Sequence, residues 1–383
     1  MQNKPSNIEA IDSLRGIAAL MVFAYHFSVV TNPLPAVPEW LLPLTLTASS
    51  GVTLFFIISS FTLCLSMGVR RSGENLATTS YYIRRYFRVA PLFYFWILII
   101  LAIDWIGYNK THSAGDIAKS ASFMLNFYPG DVAGFVPNSW TLGVEFIFYL
   151  IFPLVIKVAR NLLLISAILI ASIIISCLWH AILLNGMPDL KLAEEFYWMS
   201  FIHNLPSFII GVFIYNIYQR GYFAVLEKHR VGHLLVILWA LVYFSSAYGL
   251  VSIGSIDKVF AGAILHGLLV LGLLINMNRL MVNKATGFMG IMSYSLYLLH
   301  VPVIKLISPY LESIYSILDS PTSGYFFAGF TTLMFCTAFS SLTYKYIEKP
   351  GICFGARLIN VLKKRFCSDD AGTSNPLALS KRS

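Results

Sequence analysis

The sequence predicts an all-α integral membrane protein of about ten transmembrane helices, with both termini in the cytoplasm. Three observations carry that prediction. First, 57% of the 383 residues are hydrophobic and only 12% are charged, with a mean hydropathy of +0.72. A soluble domain carries about 25% charged residues, so there is too little polar surface to clothe a globule. Second, ten separate runs reach the ~20 mainly apolar residues that a helix needs to cross a bilayer. Third, with ten spans and both ends inside, 22 of the 27 Lys and Arg fall on the cytoplasmic side, as the positive-inside rule requires.

The runs lie near 11–31, 41–68, 86–108, 140–159, 162–180, 197–218, 231–250, 256–277, 288–308 and 325–346. The second is long and contains "TASSGVTLF", which predicts a break or a tilt. Pro91, Pro153 and Pro206 fall inside runs, where membrane helices tolerate them. Only Lys110, Lys119, Lys191, Lys258 and Lys305 remain for the outer side. The net charge of +9 is therefore a topology signal and not a footprint for nucleic acid.

Segment 109–139 is the longest external stretch, with helical character around Ile117–Phe127, and is a candidate surface for an external substrate. After Pro350, "GARLINVLKKRF" suits anionic lipid and "SDDAGTSNPLALSKRS" reads as disordered, so 351–383 is expected to be a basic then polar cytoplasmic tail, disordered from residue 351. The start "MQNKPSNIEAIDSLRG" lacks a small-residue cleavage site, so the first run is expected to be retained. The five cysteines form no CxxC pair and their number is odd, which suggests neither a disulfide framework nor a zinc site. No internal repeat is visible.

Ionisable residues inside spans are costly and usually mark function. In "SLRGIAALMVFAYHF", Arg15 and His26 are eleven residues apart, about three turns and ~16 Å along one helix face. With Arg15 at the inner boundary, His26 sits near mid-membrane, and Asp12 pairs with Arg15 one turn back. His26 is either a packing histidine bonded to a neighbouring helix or a functional group. In "NSWTLGVEFIFYLIFPL", Glu145 and Tyr149 share a face, and Glu145 is either a helix–helix anchor or a site residue. In "SYSLYLLHVPV", Ser293, Tyr297 and His300 form one polar stripe, for packing or for chemistry. In "YYIRRYFRVAP", Arg85 and Arg88 stand one turn apart beside Arg84. They are either a positive-inside anchor or a fork for phosphate. Glu348 in "YKYIEKPG" has Lys345 and Lys349 for local pairing.

Taken in order, "IDSLRGIAALMVFAYH", "GVTLFFIISSF", "YYIRRYFRVAPLF", "SWTLGVEFIFYLIFP", "SYSLYLLHVPV" and "YIEKP" resemble the acyltransferase-3 family, the polytopic membrane acyltransferases that modify bacterial surface glycans. The resemblance runs from about residue 8 to 350 and implies one membrane acyltransferase domain in the bacterial inner membrane. It implies that His26 is the catalytic histidine with Arg15 its essential partner, that Arg85 and Arg88 are the paired-arginine motif, and that Glu145 and His300 belong to the other recurrent motifs. One departure is visible: the family commonly has Ser-Gly where this chain has Ser59-Ser60. The extracytoplasmic esterase-like domain of some relatives is not seen in this chain.

The resemblance implies transfer of an acyl group, most simply acetyl, to a hydroxyl of an extracytoplasmic glycan such as O-antigen, capsule or exopolysaccharide, or to its lipid-linked precursor. Acyl-CoA is the expected donor, held by Arg85 and Arg88 with Arg15. No tightly bound cofactor, no metal and no nucleic acid are expected. His26 would act as base or acyl carrier, Glu145 would orient it or the acceptor, and His300 or Tyr297 would stabilise the oxyanion. A transporter would also need buried charges, but neither inverted repeats nor paired broken helices are found. A non-catalytic scaffold of glycan assembly is the other alternative.

Overall fold

The computed structural model describes residues 5–31, 37–70, 76–221, 223–251, 258–311, 313, 318 and 320–372. Among them every regular element is helical and none is a strand. The principal helices are α1 (Pro5–Val29), α2 (Gly51–Arg70), α3 (Ala77–Tyr108), α4 (Trp140–Val158), α5 (Leu162–Gly186) and α6 (Phe201–Gln219). They continue as α7 (Val231–Ala247), α8 (Lys258–Ile275), α9 (Lys284–Ile291), α10 (Ser293–Ile307), α11 (Pro321–Thr343) and α12 (Lys349–Gly372).

Each of the ten apolar runs carries helix, residues 256 and 257 of the eighth lying outside the described residues. Among the described residues seven stretches are long and apolar enough to cross a membrane, and the chain is a multi-pass helical membrane protein. The remaining runs differ from simple spans. Run 288–308 is bent by 80° where α9 gives way to α10. Runs 231–250 and 256–277 contain the shorter helices α7 and α8. The run at 41–68, expected to break or tilt, is one continuous span from Leu42 that only tightens to a 3-10 turn at Ala48–Ser50 before α2. A chain of hydrogen bonds holds that turn. Trp239 Nε1 lies 3.4 Å from His266 Nδ1, His266 Nε2 lies 3.0 Å from Ser50 Oγ, and Ser50 donates to the Thr47 carbonyl.

Two expectations are corrected. Helix α3 begins at Ala77, nine residues before the predicted span, so Arg84, Arg85 and Arg88 lie within a continuous helix. The segment after Pro350, expected as a disordered tail from residue 351, is helical as far as Gly372; residues 373–383 lie outside the described residues. Its first turns pack on α3, with Phe354 and Phe87 ring centroids 5.1 Å apart. Segment 109–139 carries a helix at Ala114–Ala121, capped by Ser113, close to the predicted helical stretch. It is tied down by Asn126, whose side chain bonds the Met199 carbonyl and the Phe201 amide.

Helix α1 is the hub. It crosses α9 so closely that a Cβ at Gly290 would collide with the Asp12 carbonyl oxygen, the small-residue contact by which membrane helices approach. It also packs on α2 and α10. Helix α2 packs tightly on α6, where Gly211 faces Ile57 and Ser60. This contact explains the Ser60 departure. Ser60 is fully buried, its hydroxyl donates to Ile57 O (3.0 Å), and the glycine across the interface leaves it room. One apolar core joins α1, α2, α4, α6, α7 and α8, and a second joins α1, α3, α10 and α11. Val52, Phe55 and Val89 touch both. The polar residues of the spans gather along this seam.

Candidate functional site

Helix α1 brings its polar residues to the seam as the eleven-residue spacing requires. Near its start, Arg15 Nη1 sits 3.8 Å from Asp12 Oδ1 and Nη2 donates to Thr62 Oγ1 of α2 at 3.3 Å. Three turns on is His26. Its Nδ1 lies 2.9 Å from the Val22 carbonyl and 3.1 Å from Nε2 of His300 on α10. The two rings meet edge-on, with centroids 4.9 Å apart at 64°.

The backbone fixes the tautomers. A carbonyl oxygen only accepts, so the contact with Val22 puts the proton on His26 Nδ1. His300 Nδ1 lies 3.1 Å from the Leu296 carbonyl and is protonated for the same reason. Neutral His300 is then bare at Nε2 and shares the one His26 Nδ1–H with the Val22 carbonyl in a three-centre hydrogen bond, while His26 Nε2 keeps its lone pair. That nitrogen has no hydrogen-bond partner among the described residues.

Helices α4 and α10 build the rest of the seam as two facing polar stripes. From α4 come Asn138, just before the helix, then Thr141, Glu145 and Tyr149; from α10 come Ser293, Tyr297 and His300. The rungs are Asn138 to His300 (3.4 Å) and Thr141 to Tyr297 (3.0 Å). Glu145 accepts from Tyr149 OH at 2.7 Å, with Ser59 of α2 in reach of both. Glu145 is thus a turn or more removed from the His26–His300 pair along α4, and it does not touch His26.

Below the Thr141–Tyr297 rung lies a cavity of about 100 Å³, lined by Arg15, Arg85, Arg88, Glu145, Tyr149 and Tyr297, with Ser59, Thr141, Ser293 and Tyr294 completing its polar wall. It has room for several waters or a slender chain but not for a nucleotide. His26 does not line it. The two cations of the arginine motif differ in their pairing. Arg88 Nη1 is 2.7 Å from Glu348 Oε1, and the other carboxylate oxygen accepts from Ser295. Arg85 lies over the Tyr149 ring at 6.0 Å, its buried Nε without a hydrogen bond.

The structure therefore brings Arg15, Arg85, Arg88, Glu145, Tyr149 and Tyr297 to one cavity, leaves Asp12 paired with Arg15 outside its lining, and brings His26 with His300 to a second centre just beyond it. Glu348, for which sequence suggested local lysine pairing, is turned inward by a π-helical turn at Tyr344–Glu348 and is buried against Arg88. Asn138, Thr141 and Ser59 were missed. Asn138 and Thr141 lie seven and four residues before Glu145, on its helix face, and that spacing was the available signal. Among the described residues no group of three or more His, Cys, Asp or Glu converges as a metal would need.

Comparison with known proteins fits this arrangement. The chain is 24% identical over 336 residues to the peptidoglycan O-acetyltransferase OatA of Listeria monocytogenes, covering 80% of this chain and 50% of that protein. It is 24% identical over 379 residues to the putative peptidoglycan O-acetyltransferase YrhL of Bacillus subtilis, covering 90% and 54%. Over 164 residues it is 30% identical to the acyltransferase MdmB of Streptomyces mycarofaciens, covering 40% and 41%. The chain thus spans about half the length of the curated relatives it matches. No solved structure matches it. The acyltransferase-domain family matches residues 8–341, which takes in the hub helix, both stripes and the arginine pair: the chain belongs to the acyltransferase-3 family.

Proposed function

We propose that the protein is an O-acyltransferase of the bacterial inner membrane, with both termini cytoplasmic, that moves an acyl group from acyl-CoA to a hydroxyl of an extracytoplasmic glycan. The observation that carries this reading is the bare Nε2 of His26, backed by His300 and separated by one hydrogen-bonded rung from a cation-lined cavity. The distribution of Lys and Arg supports the orientation, which puts the arginines that line the cavity on the side of the cytosolic donor. Arg85, which shares its cavity with Glu145 but has no carboxylate within ion-pair distance among the described residues, is the first candidate for a CoA phosphate, and Arg15 and Arg88 add to the field. The slender cavity suits the pantetheine arm and a short acyl group such as acetyl.

In the reaction, His26 Nε2 takes the proton of the acceptor hydroxyl as its oxygen attacks the thioester carbonyl. The C–O bond forms and the C–S bond breaks, and the thiolate leaves with the proton that His26 carried. The imidazolium formed in between is held by its Nδ1–H bond to His300. This assigns His300, and not Glu145, to the orientation of His26. Glu145 and Tyr149 stay with the donor cavity, and Tyr297 stands at its end facing the histidines. The printed names of two relatives make peptidoglycan the first acceptor to try, with O-antigen, capsule, exopolysaccharide and lipid-linked precursors next.

The test compares wild type with His26→Ala, at matched membrane levels, in a host lacking the chain. Ester-linked acyl groups on purified surface glycans are measured by NMR. Acylation by wild type and none by the variant supports the assignment. A variant that acylates at full rate removes His26 from the chemistry, and an unchanged glycan with both favours a transporter or a scaffold.

A further inference from the structure

Asn138 stands where α4 begins, with φ +63°. Asn is one of few side chains that adopt this left-handed backbone, at a cost. Strained residues persist where the surroundings over-determine them, often at functional sites. Here the strain aims the side-chain amide at the histidine pair: Asn138 Nδ2 lies 3.4 Å from His300 Nε2. His300 is buried and faces the Leu296 carbonyl, the Tyr297 backbone and ring, His26 Nδ1 and this amide.

The first three leave one matter open. Leu296 fixes a proton on Nδ1, yet it would accept equally from a neutral ring and from an imidazolium. Were Nε2 protonated as well, two N–H groups would point at each other across the 3.1 Å between His300 and His26, and His26 would lose its acceptor. As it stands, the Asn138 amide turns its NH2 toward Nε2, beside the His26 N–H that shares the one lone pair there, so a second proton on Nε2 would face a donor unless the amide turned its oxygen to the ring. This orientation favours His300 with a bare Nε2, and a bare Nε2 is what His26 Nδ1–H requires.

We propose that Asn138 is a positioning residue that completes a His26–His300–Asn138 relay: its amide keeps His300 bare at Nε2, so that His300 orients His26 and accepts from it. This rests on the reading of His26 as the base, but the state of His300 can be measured without any acyl transfer. Two substitutions separate the amide from the backbone. Asn138→Gly retains the left-handed turn and removes the amide. Asn138→Asp is nearly isosteric and puts an acceptor where the donor was.

The full chain, with 15N in its histidine rings, is placed in lipid nanodiscs, and the rings of His26 and His300 are identified by the signals missing from His26→Gln and His300→Gln. Wild type is expected to show His300 protonated at Nδ1 and bare at Nε2, and Asn138→Asp to show a second proton at Nε2. Acyl transfer from acetyl-CoA by Asn138→Gly should fall roughly 10- to 100-fold in kcat, as for other orienting partners of functional histidines, with KM for acetyl-CoA unchanged. A protonated Nε2 in wild type, or a ring that stays bare in Asn138→Asp, overturns the relay. So does full kcat in Asn138→Gly, which would make the backbone turn the residue's whole role. If wild type transfers no acyl group, the proposed function fails while the ring signals still decide the relay.

Discussion

Nε2 of His300 lies 3.1 Å from Nδ1 of His26, although 274 residues separate them in the chain. Each ring is protonated toward its own helix, at the Val22 and Leu296 carbonyls. His300 therefore stands to His26 as an orienting acceptor, in the place that a carboxylate takes behind other basic histidines. His300→Gln should lower kcat by roughly 10- to 100-fold, and His26→Ala by at least about 100-fold. Free CoA released in the presence of acceptor is the measurement. Equal losses in the two variants would show that His300 acts directly on substrate.

Arg85 and Arg88 should behave differently despite sharing a motif. Arg85 has no carboxylate within ion-pair distance among the described residues, and a hydrogen bond to a charged group is worth about 1.5–3 kcal/mol. Arg85→Ala is expected to raise KM for acetyl-CoA roughly 10- to 100-fold, with membrane levels unchanged. Arg85→Lys should recover little of this, since a point charge lacks the planar fork.

Arg88 has a structural partner. Glu348 is buried to 1% exposure and accepts from both Arg88 and Ser295. Removing one member of a buried pair costs about 3–5 kcal/mol, because the other charge is left uncompensated. Glu348→Ala should therefore lower the thermal midpoint sharply in detergent, and the double variant Arg88→Met/Glu348→Leu should melt above it. A double variant that melts below Glu348→Ala would show that the pair itself stabilises the fold.

The contact between Gly211 and Ser60 gives a compensation test. A Cβ at Gly211 would collide with Ser60 Oγ and the Ile57 carbonyl, and overpacking of this kind costs about 1–3 kcal/mol. Gly211→Ala should lower protein levels and thermal midpoint, and adding Ser60→Gly should restore part of the loss. No recovery would mean that the Ile57 carbonyl alone sets the spacing.

His266 is as buried as His300 but has a different task. It joins Trp239 to Ser50 at the 3-10 turn before α2, away from the cavity lining. His266→Leu leaves the buried Trp239 N–H unpaired, at about 1–3 kcal/mol, while Ser50 keeps its bond to the Thr47 carbonyl. The variant should melt earlier while the molecules that remain folded keep wild-type KM for acetyl-CoA. A changed KM at normal stability would place His266 in the site.

These cases show what was legible in the chain. Arg15 and His26 share a helix face, and so do Ser293, Tyr297 and His300, because residues three, four and eleven apart are set by helical geometry alone. The apolar runs were legible for the same local reason. The pairing of His26 with His300 was not, since no periodicity says which two faces meet across a bundle. Glu348 was assigned to nearby lysines because spacing favoured them, and the π-helical turn that rotates it toward Arg88 leaves no mark in the sequence. The 80° bend before Ser293 falls at Met292, without the proline that would have announced it.

The rung between Thr141 and Tyr297 bears on the energetics of the cell as well as on the reaction. Polar stripes on facing helices form a path along which protons and ions can leak, and each unit charge that crosses 100 mV dissipates about 2.3 kcal/mol. In this chain the rung closes that path to hydrated ions. The two hydroxyls are in direct contact between the arginines and the imidazoles, with Phe55 packed edge-on against the Tyr297 ring, which leaves no place there for an ion and its water shell. The rung thus holds back ion leak at one point of a polar seam that runs through an energised membrane.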